Sequence, residues 1–121
     1  MMKYNHLGIP TTIPRPGEIH SKKFKAHFTD HESNPFGIQW MRYEPGCPLP
    51  ELVKTVPHVG FEVDDLQAAL KGYEILIQPN SPSKGVVVAF VVVDGAPVEF
   101  LQFLDKTKPK TKRKKSSKRT E

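Results

Sequence analysis

The feature that most restricts what this chain can fold into is an internal repeat. His6-Leu7-Gly8-Ile9 is echoed by His58-Val59-Gly60-Phe61, and Ile38-Gln39-Trp40-Met41 by Val98-Glu99-Phe100-Leu101, in the order apolar, polar acceptor, aromatic, apolar. Each half opens on one motif and closes on the other. The two motifs stand 33 positions apart in the first half (His6 to Gln39) and 41 in the second (His58 to Glu99). That difference is about the length of a helix over Asp64 to Lys71, so the first copy is expected to replace its crossover helix with the Pro-rich loop around Pro14 to Gly17. Repeats this short cannot each bury a hydrophobic face alone, and pairing them into one sheet system removes that face from water.

Between the motifs the signals are mostly those of strands. Lys3 to Thr11 reads as a strand, and Phe24 to Thr29 sets Phe24, Ala26 and Phe28 against Lys23, Lys25 and His27, the period-2 pattern of a half-buried strand. Ile38 to Tyr43 follows Pro35 and Gly37, and Pro45-Gly46-Cys47-Pro48-Leu49-Pro50 is a turn-rich linker. After Val56 to Val63, Asp64-Asp65 starts a short helix with Leu66, Ala69 and Leu70 on one face, ending near Gly72. Glu74 to Gln78 and Val86 to Val93 read as strands, and Asp94-Gly95 predicts a hairpin into Val98 to Leu104.

Charge divides the chain at its end. The stretch 106–121 holds nine Lys or Arg against one acid, whereas residues 1–105 hold nine against twelve, so the overall charge of +5 belongs to the tail. With no aromatic or aliphatic residue beyond Leu104, the segment 106–121 is expected to be disordered. Its Lys112-Arg113-Lys114-Lys115 cluster would suit nucleic acid or another anionic surface, but a solvated solubility tail is the commoner use of such a block. The remaining residues 1–105 suffice for one domain, in modules of about 1–45 and 55–105. The longest apolar run, Val86 to Val93, is too short for a membrane span, and the amino terminus has no signal-peptide pattern, so a soluble cytoplasmic protein is expected. The single cysteine, Cys47, excludes an internal disulfide framework and a cysteine-rich zinc site.

The segments HLGIP, HVGFEVDDLQAAL and GAPVEFLQF resemble the opening strand, the second-module strand and helix, and the closing strand of vicinal oxygen chelate proteins. This superfamily includes glyoxalase I, the bleomycin-resistance proteins and the extradiol dioxygenases. The resemblance covers nearly all of residues 3–105. It implies an α+β fold of two βαβββ-type modules forming a curved mixed sheet cup, with most of the first module's helix missing. It also implies a divalent metal (Zn, Ni, Co, Mn or Fe) held at the opening-strand histidine and closing-strand acid or amide of each module. Those positions are His6, Gln39, His58 and Glu99 in this chain.

Two imidazoles with carboxylate and amide oxygens suit a borderline divalent ion. A 2+ ion with Glu99 as the sole anionic ligand keeps net positive charge, which favours an enolate or enediolate over a neutral ketone. The resemblance therefore implies a lyase or isomerase acting on a small carbonyl substrate, with Glu99 as candidate base. Two alternatives stay open: a non-enzymatic small-molecule binder of the bleomycin-resistance type, and an extradiol dioxygenase using two His and one carboxylate on iron. A homodimer is a further expectation, with Val86 to Val93 as a possible contact. The duller roles are packing for His6 and His58, solvent contact for Glu99, and a neighbouring-strand hydrogen bond for Gln39. His20 reads as surface, the i, i+4 pair His27 and His31 straddles a strand end, and Cys47 reads as a free thiol. Arg42 and Tyr43 could contact an anionic substrate, but packing or solvent contact is the commoner role for such residues.

Overall fold

The alternating segments pair into a continuous sheet. The structure, a computed structural model, describes residues 2–104; the expected basic tail lies outside the described residues. Among these, the strands are β1 (Lys3–Pro10), β2 (Ile19–Ser21), β3 (Ala26–Phe28), β4 (Ile38–Tyr43), β5 (His58–Glu62), β6 (Glu74–Asn80), β7 (Val86–Val93) and β8 (Ala96–Phe103). Helix α1 (Glu51–Thr55) links β4 to β5, and α2 (Leu66–Leu70) links β5 to β6. All eight strands lie in one curled mixed sheet in the order β2-β3-β4-β1-β5-β8-β7-β6.

This order is the sequence repeat made visible. In the first half β1 runs parallel to β4, which is antiparallel to β3, which is antiparallel to β2. In the second half β5, β8, β7 and β6 repeat the same directions. The halves meet where β1 and β5 pair antiparallel. Gln39 lies opposite Gly8 and Glu99 opposite Gly60, so the two closing motifs occupy equivalent places.

Local chemistry sets the element ends. Asp65 caps α2 by accepting a hydrogen bond from the Ala68 amide, and Gly72 ends the segment with φ +85°. Asp94 and Gly95 both take positive φ, 50° and 82°, the two-residue turn whose twist matches a hairpin. The expected strand over Phe24 to Thr29 is shorter, Ala26–Phe28, because residues 22–25 form a turn in which Lys25 takes φ 53° and the Ser21 hydroxyl accepts from the Phe24 amide. That turn folds the chain onto β2, a strand of three residues with too little alternation to read in advance. Helix α1 was likewise not expected after the Pro-rich linker; Pro50 stands at its N-cap and Val53 is its buried residue.

The two faces of the sheet are covered differently in the two halves. Over the outer face of β7 and β8, Leu66 and Leu70 of α2 pack into a buried cluster with Val63, Ala89, Val91 and Phe100. The first half has no helix there, as expected from its shorter spacing. Residues 11–18 cross as a loop and lay polar groups on β4: the Arg15 guanidinium stacks 3.8 Å over the Trp40 ring, and Arg42 donates to both carboxylate oxygens of Glu18 at 2.9 and 2.6 Å. Strand β7 lies between β6 and β8 and is largely buried, so both its edges are occupied within the chain. The surface for association expected of Val86 to Val93 is therefore not exposed. No helix among the described residues is long and apolar enough to cross a membrane.

Because Leu66 and Leu70 are the buried side chains through which α2 covers its module, Leu66→Ala should lower the unfolding free energy by about 2–5 kcal/mol. Denaturant titration checks this, and a change within about 0.5 kcal/mol, typical of an exposed site, would contradict the role given to α2.

Candidate metal centre

The seam between β1 and β5 builds the centre. Its antiparallel register sets His6 opposite Gly60 and Gly8 opposite His58. Residues two apart share a strand face, so each His-x-Gly motif presents an imidazole and, beside it, a bare stretch of backbone. The imidazole of each module lies across the glycine of the other. A Cβ on Gly8 would come within 2.7 Å of His58 Nδ1, and one on Gly60 within 2.7 Å of His6 Nδ1. The glycines are required by close approach, which is why they accompany the histidines in both copies of the motif.

Glu99 reaches the same point from β8. His6 Nε2 lies 3.0 Å and His58 Nε2 3.1 Å from Glu99 Oε1, and the two nitrogens are 3.2 Å apart. All three residues are buried, with 4% exposure for each histidine and 8% for Glu99. The Phe90 ring, 5.0 Å from that of His58, adds an apolar wall.

A bulge fixes the tautomer of His6. Between Tyr4 and His6 the β1–β5 register shifts, leaving Asn5 as an extra residue on β1. Asn5 and His6 consequently line the same cavity. Asn5 donates through Nδ2 to Glu62 Oε2 at 2.9 Å, so its Oδ1 accepts from His6 Nδ1 at 2.7 Å. With Nδ1 as the donor, a neutral His6 turns a bare Nε2 lone pair toward the carboxylate. His58 Nε2 either donates to the Glu99 carboxylate or, with its proton on Nδ1, joins His6 Nε2 and Glu99 Oε1 as a third acceptor facing one point, an arrangement that a cation satisfies.

The donor set fits an ion. An octahedral face with bonds of about 2.1–2.3 Å has edges of about 3.0–3.2 Å, and two His with one carboxylate is a recurrent facial arrangement. The Glu62–Asn5–His6 chain supplies the outer-shell hydrogen bond that orients a ligating imidazole. In the metal-free protein burial pushes the Glu99 carboxyl up, but hydrogen bonds from His58 and His6 in their charged forms, together with that charge, outweigh it and hold the group at about 2.

The centre is part of the wall of a cavity of about 770 Å³. Phe28, Met41, Val88 and Leu101 make apolar parts of its wall, and Lys23, Gln78, Asn80 and Ser83 are among its polar ones. Gln39 lines this cavity half-buried, on the β4 position equivalent to Glu99. The four expected residues thus share one cavity, with His6, His58 and Glu99 in mutual contact. Tyr43 also lines it, with a buried hydroxyl that has no hydrogen-bond partner among the described residues and a pKa raised by burial. Arg42 faces the other way, toward Glu18.

Sequence reasoning missed His31. It lines the cavity with its ring centroid 5.6 Å from that of His6, and burial lowers its pKa from 6.5, with the nearby His6 adding to that direction. The 3-10 turn His31–Ser33, capped by Asp30, places it there. Nothing in the sequence spacing points that turn at the seam. Cys47 is a buried free cysteine.

No family model and no curated protein matches the chain. Among solved structures it is similar to a hypothetical protein from Bacillus halodurans C-125, 15% identical, with a TM-score of 0.58 over 89% of this chain and 99% of that one. At this identity the likeness is one of fold.

Two outcomes follow from the geometry. Gly60→Ala should displace the His6 ring and cost about 1–3 kcal/mol, whereas an exposed glycine-to-alanine control would not disturb the ring; an unshifted His6 imidazole resonance would contradict the reciprocal packing. Since the Glu99 pKa lies below its ordinary 4.5, its ionised form adds stability present above about pH 4.5 and lost as pH falls toward about 2. Metal-free protein should therefore lose stability across that window, and Glu99→Gln should lose less; equal losses in denaturant titrations would contradict it.

Proposed function

We propose that this chain is a vicinal oxygen chelate protein whose cup holds a divalent metal on His6, His58 and Glu99, with Gln39 as fourth donor. We further propose that it acts as a lyase or isomerase on a small carbonyl compound. The observation that carries the reading is the buried triangle of His6 Nε2, His58 Nε2 and Glu99 Oε1, with edges of 3.0–3.2 Å, beside a cavity large enough for a small molecule. The repeated strand order, joined through the two opening strands, supports it.

When bound, a divalent ion there supplies positive charge to a substrate oxygen that turns anionic as a proton leaves the adjacent carbon. Residues of the chain do the rest. Phe28, Met41, Val88 and Leu101 keep water away from the reacting group, which strengthens every charge interaction inside. Tyr43, kept protonated by burial, is a neutral neighbour on the same wall. Two groups are placed to take the proton. Glu99 is the base that the resemblance implies, and it has first to leave the imidazoles that hold its carboxyl at about 2. His31, whose pKa is lowered by burial, stands uncharged at neutral pH on the same cavity wall.

A second reading has its own support, since the largely apolar cavity also suits a small-molecule binder without chemistry. Iron on the same donors would instead favour a dioxygenase.

Metal content separates these first. Protein purified without a metal-affinity column and loaded with nickel, cobalt, manganese or zinc should retain about one equivalent at this centre through gel filtration. His58→Ala should lose it, and unchanged content in that variant would sink the site. Loaded protein in deuterated water should then exchange the proton next to the carbonyl in a panel of small ketones, aldehydes and thioesters. If His31→Gln abolishes exchange with metal content intact, His31 is the base; if only Glu99→Gln does so, Glu99 is. Full metal loading without exchange in any compound supports the binder.

A further inference from the structure

On the opposite face of the sheet a second set of donors converges, with no residue in common with the first. We infer that His20, His27 and Glu44 form an outer binding site for a borderline divalent ion such as Zn²⁺, which clamps the edge of the first module. His20 of β2 lies directly opposite His27 of β3, and their rings stack with centroids 4.5 Å apart at 21°. Each turns its Nε2 to one oxygen of Glu44, at 2.7 Å from His20 and 2.9 Å from His27. The Glu44 amide donates to the Lys25 carbonyl at 2.9 Å, which ties this carboxylate to the β2–β3 turn.

Three observations point to a cation at this cluster. The three donor atoms lie within 4.8 Å of one another and belong to separate segments of chain, so one ion would bridge β2, β3 and the end of β4. His27 Nδ1 faces Glu18 Oε1 at 3.9 Å, and Arg42 fixes Glu18 through two hydrogen bonds. That carboxylate favours the proton on Nδ1 and leaves Nε2 free for an ion, the outer-shell arrangement common to ligating histidines. The two stacked rings aim both Nε2 atoms at the same Glu44 oxygen, so one ion placed there would be shared by all three side chains. Tetrahedral bonds of about 2.1 Å would open the present contacts of 2.7 and 2.9 Å by roughly half an ångström or a little more, which partly exposed side chains accommodate.

The location gives the ion a structural task. Strands β2 and β3 have three residues each, and no helix covers this half of the sheet as α2 covers the other. A bound ion supplies the cross-strand hold that the missing helix would have provided.

The test is a Zn²⁺ titration of the full chain by calorimetry and thermal melting, in wild type, His20→Ala, His58→Ala and the double variant. His58→Ala should still bind one equivalent, and its melting midpoint should rise by at least about 4 °C at a hundredfold excess over Kd. His20→Ala added to it should abolish both. If His58→Ala proves unstable, the comparison is wild type against His20→Ala, which should differ by one equivalent. Zn²⁺ uptake and melting that are unaffected by His20→Ala overturn the outer site, whatever becomes of the inner one. An equivalent lost in His20→Ala but not in His58→Ala supports the outer site alone and rejects the inner reading.

Discussion

Everything in this molecule turns on the crossing of two imidazoles over two glycines at the β1–β5 seam. The antiparallel register places His6 against Gly60 and His58 against Gly8, and each ring occupies the space that a Cβ would take. One contact thereby joins the modules, buries two polar rings and points their Nε2 atoms at a common place. Slipping β1 by one residue against β5 would put His6 and His58 on opposite faces of the sheet and undo the packing of each ring over a glycine. Glu99 completes the set because β8 pairs with β5 in the register that puts it beside Gly60.

Burying three such groups is costly unless charge is balanced among them. The bulge at Asn5 commits the Nδ1 proton of His6 to the Asn5 carbonyl oxygen and leaves Nε2 of a neutral His6 as an acceptor facing Glu99. The fold thus spends strand regularity to hold donors in place. A chain selected only for stability would more simply fill this position with apolar side chains. The outer face tells a parallel story. Where α2 covers β7 and β8, leucines suffice; where the first module has no such helix among the described residues, Arg15, Glu18 and Arg42 cover β4 with stacking and paired charges.

Much of this was legible in the residues. The His-x-Gly repeat showed two halves joined in one sheet system, the 33- and 41-residue spacings showed which half lacks a helix, and the closing motifs set Gln39 equivalent to Glu99. Asp94-Gly95 gave its hairpin because both residues tolerate positive φ. What escaped was whatever depends on short elements or on geometry at a distance. Three-residue strands such as β2 carry no periodicity, so the pairing of His20 with His27 was invisible. His31 reaches the cavity through a single 3-10 turn, and no spacing rule links it to His6. The bulge at Asn5 leaves no signature in a sequence that reads as an uninterrupted strand.

The central claim is that three donor atoms from β1, β5 and β8 converge to hold one ion. A crystal structure of metal-loaded protein, with an anomalous difference map at the absorption edge of the metal, tests it most directly. The account predicts a strong peak about 2.0–2.3 Å from His6 Nε2, His58 Nε2 and a Glu99 carboxylate oxygen. A map with no peak there, from crystals grown with saturating metal, would contradict it and leave the cavity as a metal-free pocket.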